Sequence, residues 1–252
     1  MKSNRRLFRF LFIFLPLLFL WLQVSYSSPL TFKDEVGREV LFPFPPKRIL
    51  SLKPDLIIAT GAGNTRDMVE RLEKFGLPTY VIFPKNLEGI LLSIDHIGQI
   101  VDRRHEASRI IRGIRERRER VIALTRNLPR PRVFLQIGEA PIVTVGKGTF
   151  GDDLIRLAGG NNVAGNEKKM YPRFGIEEVL KRAPEVIVIS SMNPKADYGK
   201  ALQEWTRWKT IPAAKNGRIH LIDSDLMDRP SPRIIDGLEE MARILHPEKL
   251  KK

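Results

Sequence analysis

Two phrases 130 positions apart govern what this chain can become. Pro54-Asp55-Leu56-Ile57-Ile58-Ala59 and Pro184-Glu185-Val186-Ile187-Val188-Ile189 each set a proline and an acid ahead of an unbroken apolar run. Such a run, with no polar residue alternating through it, suits a strand covered on both faces, the situation of a parallel sheet flanked by helices. The first run, at 56–59, is followed by a helical stretch at 65–75 with Met68, Val69, Leu72 and Phe75 on one face, a stop at Gly76, and a strand at 79–83. The second is followed by a helical stretch at 200–210 and a strand at 218–222. Two β-α-β units on one plan predict an α/β protein of two parallel-sheet lobes. A chance repeat of a common strand entry is the competing explanation.

Residues 102–128 lie between the two units and read as one long helix, apolar at Ala107, Ile110, Ile111, Ile114, Val121 and Leu124. At 1.5 Å per residue it would reach ~40 Å, enough to run along the backs of both lobes as one rigid link. Its Arg112, Arg115, Arg117, Arg118 and Arg120 are interleaved with Glu116 and Glu119, which reads as a solvated outer face rather than a nucleic-acid surface. The predicted organisation is an N-terminal lobe at 30–101, the linking helix at 102–128 and a C-terminal lobe at 129–252. Ahead of the first strand, 31–42 alternates around Asp34-Glu35-Val36-Gly37, a small hairpin turning at Gly37, and 42–46 is a Pro-rich stop.

The compartment follows from the first residues. Lys2, Arg5, Arg6 and Arg9 stand there with no acid, ahead of an apolar run at 11–22 and a small polar stretch reaching Ser28. This is the pattern of a secretory signal peptide at 1–27, and it predicts a periplasmic product. A retained anchor is the weaker reading, because a spanning helix takes ~20 apolar residues and this run is shorter and interrupted by Pro16. Loss of the leader lowers the formal net charge from +14 to +10. A product this basic meets anionic lipid head groups, acidic membrane partners or anionic small ligands before it meets nucleic acid. With 42% hydrophobic and 29% charged residues the chain forms a core, which excludes disorder, collagen and coiled coil over its whole length. It has no cysteine, so disulfides, thiol catalysis, a Cys-ligated metal and an N-terminal lipid anchor on cysteine are excluded.

Catalysis finds little support. His96, His105, His220 and His246 are scattered, with no short-spaced pair of the kind a transition-metal site shows. There is no Gly-x-Ser-x-Gly elbow and no phosphate loop, and Gly61-Ala62-Gly63 fails as a dinucleotide fingerprint because position 66 is Arg. Catalysis is therefore poorly supported, and no cofactor is called for. In open parallel sheets ligands sit beyond the carboxyl ends of strands, here the loops 60–64 and 223–229. Two facing lobes would turn both loops toward one cleft.

Several longer phrases resemble one family. RVFLQIG at 132–138, TVGKGTFGDDLIRLAGGNNV at 144–163, YPRFGIEEVLKRAPEVIVIS at 171–190, DRPSPR at 228–233 and GREVLFPFPPKRILSL at 37–52 look like the periplasmic binding proteins of cobalamin and iron-complex ABC importers, with the cobalamin binders nearest. The resemblance implies two α/β lobes joined by one rigid helix, with a small-molecule ligand, cobalamin or an iron complex, in the cleft. It implies that Tyr171 stacks on the ligand, that Asp225 and Arg229 hydrogen-bond its periphery, and that Thr60, Gly61 and Asn64 close the other side. It also implies docking of an acidic residue from each lobe on arginines of the importer permease, and Glu177 falls at the second-lobe position. An ordinary first-turn acid, favoured by the helix dipole, would explain Glu177 and Glu178 equally well.

The chain departs from the family in two ways. A further helix, strand and helix normally follow a phrase like RILSL, whereas Leu52 here runs straight into Lys53-Pro54. The first lobe is shortened and lacks the segment that carries its docking acid. Thr60, Val143 and Leu226 also stand where aromatic residues would grip a flat macrocycle. The alternative function is an importer-associated or envelope interaction protein that has lost ligand binding and contacts lipid or a partner through its basic surface. A periplasmic hydrolase is a third and weaker reading.

Overall fold

The computed structural model describes residues 30–42, 54–61, 66–190 and 198–250. The leader at 1–27, residues 43–46 of the Pro-rich stop, and Asn64 lie outside them.

Strands β1 (Leu30–Lys33) and β2 (Glu39–Phe42) pair antiparallel, with Thr31 opposite Leu41 and Phe32 opposite Val40. Gly37 takes φ +87° in the turn, where a side chain would be strained. The buried Asp34 carboxylate accepts from the backbone N–H of Val36 and Arg38 and from the Arg38 guanidinium, at 2.7 to 3.2 Å. Arg38 also donates to the Thr79 carbonyl at 2.9 Å, and the Glu35 N–H donates to the Val81 carbonyl at 3.1 Å. These bonds stitch the hairpin to the strand pair that follows.

That pair is β3 (Ile57–Thr60) and β4 (Thr79–Ile82), parallel and connected through α1 (Arg66–Lys74), as the first apolar phrase predicts. All four residues of β4 are buried, but those of β3 are only half-buried. Among the described residues β3 has β4 as its one strand neighbour. Helices α2 (Leu87–Ile100) and α3 (Arg104–Thr125) come next. Asn86 caps α2, its side chain accepting from the Gly89 N–H at 2.7 Å.

The second unit is built on a six-stranded sheet of β5 (Arg132–Glu139), β6 (Ile142–Thr144), β7 (Asn161–Asn162), β8 (Arg173–Phe174), β9 (Val186–Ile189) and β10 (Ile219–Leu221). The order is β10-β9-β5-β6-β8, with β7 also on β5. β10, β9, β5 and β7 run parallel, while β6 is antiparallel to both β5 and β8. The sheet is therefore mixed where a wholly parallel one was expected. Ala140-Pro141, the link between β5 and β6, suffices for a hairpin, whereas a parallel crossover needs about a dozen residues. The helices of this unit are α4 (Phe150–Leu157), α5 (Ile176–Arg182), α6 (Tyr198–Thr206), α7 (Pro212–Lys215), α8 (Ser224–Met227) and α9 (Ile234–Leu245).

β9 shows how the second apolar phrase is used. Val186 and Val188 enter one core with Leu238 and Met241 of α9, while Ile187 and Ile189 enter another with Phe134, Trp205 and Ile211. A strand covered on both faces needs an unbroken apolar run, and this one has it.

The helix expected over 102–128 runs from Arg104 to Thr125 and spans about 33 Å. Asp102, at φ +56°, separates it from α2. Its buried Ala107, Ile114 and Val121 recur every seven residues as one stripe. α3 packs against both α2 and α9. Its arginines were expected to be a solvated face, yet three are ties. Arg117 pairs with Asp236 at 2.6 Å and Glu239 at 2.7 Å on α9, and Arg115 and Arg118 both reach Glu88 on α2. Their spacing on the helix brings acids of neighbouring helices within reach, which a charge pattern along one helix cannot disclose.

Candidate functional site

The carboxyl ends of β3 and β4 face the second unit across a cleft of about 790 Å³. From the first unit come Thr60 at the end of β3, Ile82 at the end of β4, and the adjoining Phe83, Pro84 and Lys85. Opposite stand Leu135 and Ile137 of β5, Val145, the turn from Thr149 to Gly151, then Met170, Tyr171 and residues 227–231. The wall is mostly apolar, with a few polar groups at its edge, which is the composition of a small-molecule site.

Each wall is fixed locally. The Phe83 N–H donates to Glu35 Oε2 at 2.7 Å, and Ser93 Oγ donates to the other oxygen of the same carboxylate. Gly61 lies against the Phe83 ring, where an added Cβ would sit 2.9 Å from the ring carbons, so the position demands glycine. Lys85 Nζ stands 5.8 Å from the Phe83 ring centroid, a weak cation–π contact at an exposed site. Across the cleft, Thr149 caps α4: its hydroxyl donates to the Gly146 carbonyl at 2.9 Å and accepts from the Asp152 N–H at 3.2 Å.

The polar end of the cleft is Asp228, Arg229 and Tyr171. Ser190 Oγ donates to Asp228 Oδ2 at 2.8 Å. Burial nevertheless pushes the Asp228 carboxyl up to about 6, against the opposing pull of the Ser190 hydrogen bond and the Arg229 charge. Burial, and then the negative charge of Asp228, push the Tyr171 phenol above its ordinary value. Arg229 Nε pairs with Asp225 Oδ1 at 2.9 Å, both side chains being substantially exposed.

Of the residues singled out in the sequence, Thr60, Tyr171 and Arg229 line this cleft. Gly61 acts on it through Phe83, and Asp225 through Arg229. Val143 and Leu226 are not among its lining side chains. Val143 pairs with Arg173 in the β6-β8 ladder, and the Leu226 carbonyl is pressed against Gly237 of α9. Phe83, Lys85, Phe150, Met170 and Asp228 line the cleft without having been singled out. Phe83 had a signal, since it follows the second strand of a β-α-β unit and the rule that places ligands beyond Thr60 applies there too.

Glu177 is exposed in the first turn of α5 and has no ion pair among the described residues. Its neighbour Glu178 is held by Arg182 at 2.6 Å. On the first unit, Glu70 pairs with Arg66 at 2.8 Å and Glu73 with Arg38 at 2.9 Å. His96 is bonded to the Tyr80 hydroxyl at 2.9 Å and His246 to the Ala158 carbonyl at 3.1 Å. Among the described residues no group of three His, Asp or Glu side chains is placed to hold a metal ion.

The model of the family described as Periplasmic binding protein matches residues 47–226. A vitamin B12-binding protein of Vibrio parahaemolyticus is 33% identical over 207 residues, covering 82% of this chain and 73% of that protein. Another, of Vibrio vulnificus, is 34% identical over 196 residues, covering 77% of this chain and 70% of its own length. The crystal structure of a periplasmic vitamin B12 binding protein of Vibrio cholerae superposes with a TM-score of 0.68 at 28% identity, covering 80% of this chain and 77% of that one.

Proposed function

We propose that this chain, which belongs to the periplasmic binding protein family, captures a cobalamin-like or iron-chelate ligand between its two α/β units and delivers it to an ABC importer. The family binds solutes rather than converting them. The observation that carries the ligand reading is the cleft itself, about 790 Å³ and walled by Ile82 and Phe83 on one side and Ile137, Phe150, Met170 and Tyr171 on the other. A flat apolar macrocycle would replace water on these surfaces, with Tyr171 against its face. Arg229, oriented by Asp225, and Asp228 would meet its polar periphery.

Export through the leader at 1–27 brings the protein to the periplasm, and α3 serves as the link between an N-terminal lobe and a C-terminal lobe. Docking on the permease runs through Glu177, whose freedom from internal pairing supports the role. On α1 Glu70 and Glu73 are engaged, while Asp67 in its first turn is exposed and has no ion pair among the described residues.

The test is a titration of the processed protein with cyanocobalamin, dicyanocobinamide, haem and ferric siderophores, followed by calorimetry and absorbance. Saturable one-to-one binding of a corrinoid, haem or iron chelate is the expected result. Failure of all of them, with permease association retained, would turn the assignment to the interaction protein that has lost its ligand.

A further inference from the structure

A second pocket, of about 590 Å³, opens beside the cleft and shares Tyr171 with it. Its wall is the segment 166–174, which brings Lys168, Lys169 and Arg173 around one concavity. The segment is pinned by its backbone. The Gly146 N–H donates to the Met170 carbonyl at 2.7 Å and the Thr144 N–H to the Pro172 carbonyl at 3.1 Å. An added Cβ on Gly146 would stand 2.4 Å from the Lys169 carbonyl oxygen, so the two chains touch without an intervening side chain.

Charge in this pocket is one-sided. Its carboxylate, Glu167, is already bound to Arg182 at 2.5 Å, and Arg182 is further held by Glu178 and lies 4.6 Å from the Phe174 ring centroid. Lys168, Lys169 and Arg173 are exposed and have no ion pair among the described residues. Three uncompensated cations on a fixed loop around a concave surface focus a positive potential there. The shared Tyr171 puts that potential at the rim of the main cleft.

The geometry points to an anion subsite at Lys168, Lys169 and Arg173, which takes a carboxylate or phosphate group projecting from the ligand held in the cleft. This assignment rests on the cleft reading above and narrows it to ligands with an acidic arm. Arg173 offers a planar fork suited to two oxygens of such a group, and the lysines add mobile point charges.

The test compares the processed protein with its Lys168→Gln, Lys169→Gln, Arg173→Gln triple variant at low ionic strength, where exposed charges are least screened. One arm titrates inorganic phosphate by phosphorus NMR, which reads the subsite without any cleft ligand. The other compares cyanocobalamin with dicyanocobinamide, which lacks the phosphodiester, and haem with its dimethyl ester, which lacks the free carboxylates. Phosphate should bind the parent and weaken about tenfold in the variant, and the acid-bearing member of whichever pair binds should weaken similarly while its masked counterpart does not. Phosphate affinity that the triple substitution leaves unchanged overturns the subsite, as does an equal loss for acidic and masked ligands. Phosphate capture that depends on the three cations, with no macrocycle bound, upholds the subsite and defeats the cleft reading instead.

Discussion

Replacing Asp228 by Asn should make the protein more stable at neutral pH. Asp228 is a carboxylate whose desolvation outweighs its partners: Ser190 donates to it at 2.8 Å and Arg229 attracts it, yet its pKa rises from 3.8 to about 6. The folded state therefore holds this proton more tightly than the unfolded chain does. Its contribution to stability is complete below about pH 4 and is lost as pH rises through about 6. Two pKa units at about 1.4 kcal/mol each make the ionised group a liability of about 3 kcal/mol at pH 7. Asn keeps a carbonyl oxygen for the Ser190 hydroxyl and carries no charge to desolvate. The pull of Ser190 and Arg229 on the charged form is already contained in the raised pKa, so the gain stays at about 3 kcal/mol. For a chain of this size that is a rise in Tm of about 6 to 12 °C. Thermal melts of Asp228→Asn and its parent, taken without ligand from pH 4 to pH 8, should show curves that nearly coincide at the acidic end, separate progressively between about pH 4 and pH 6 and keep a constant offset above. Equal melting temperatures at pH 7, or an offset that stays constant over the whole range, would refute the assignment of a desolvated carboxylate.

Other outcomes follow from the same geometry. Tyr171→Ala should weaken ligand binding by roughly 0.5 to 1.5 kcal/mol beyond lost contact area, and unchanged affinity by calorimetry in both Tyr171→Ala and Arg229→Ala would place the ligand elsewhere. Glu177→Ala should cost 2 kcal/mol or more in association with the reconstituted permease, while Glu70→Ala and Glu73→Ala leave it nearly intact; a Glu177→Ala protein that binds like the parent removes the docking role. Intact-mass analysis of the exported protein should show residues 1–27 missing, and a full-length mass in the membrane fraction would favour the retained anchor.

The backbone of this fold was legible where burial is uniform. The apolar phrase at β9 feeds two cores, as a strand covered on both faces requires. The phrase at β3 looks alike but is only half-buried, because burial depends on what packs around a strand and not on the strand itself. α2 also left a signal, with Leu87, Ile90, Leu91, Ile94 and Ile97 at helical spacing behind the Asn86 cap. The site was legible only in part. Thr60 marks a strand end, and Tyr171 and Arg229 sit in loops marked by family phrases. Phe150, Met170 and Asp228 reach the cleft because β6 folds back on β5 and because Ser190 and Asp228, 38 residues apart, meet at 2.8 Å. Such long-range closure has no counterpart in local periodicity.

The middle of α3 is tied on two sides. Glu88 of α2 holds Arg115 and Arg118, while Asp236 and Glu239 of α9 hold Arg117, so three arginines within one turn reach two different neighbours. Turning α3 about its axis would pull against one of these ties whichever way it moved, so the pairs fix the rotation at which its stripe of Ala107, Ile114 and Val121 meets its neighbours.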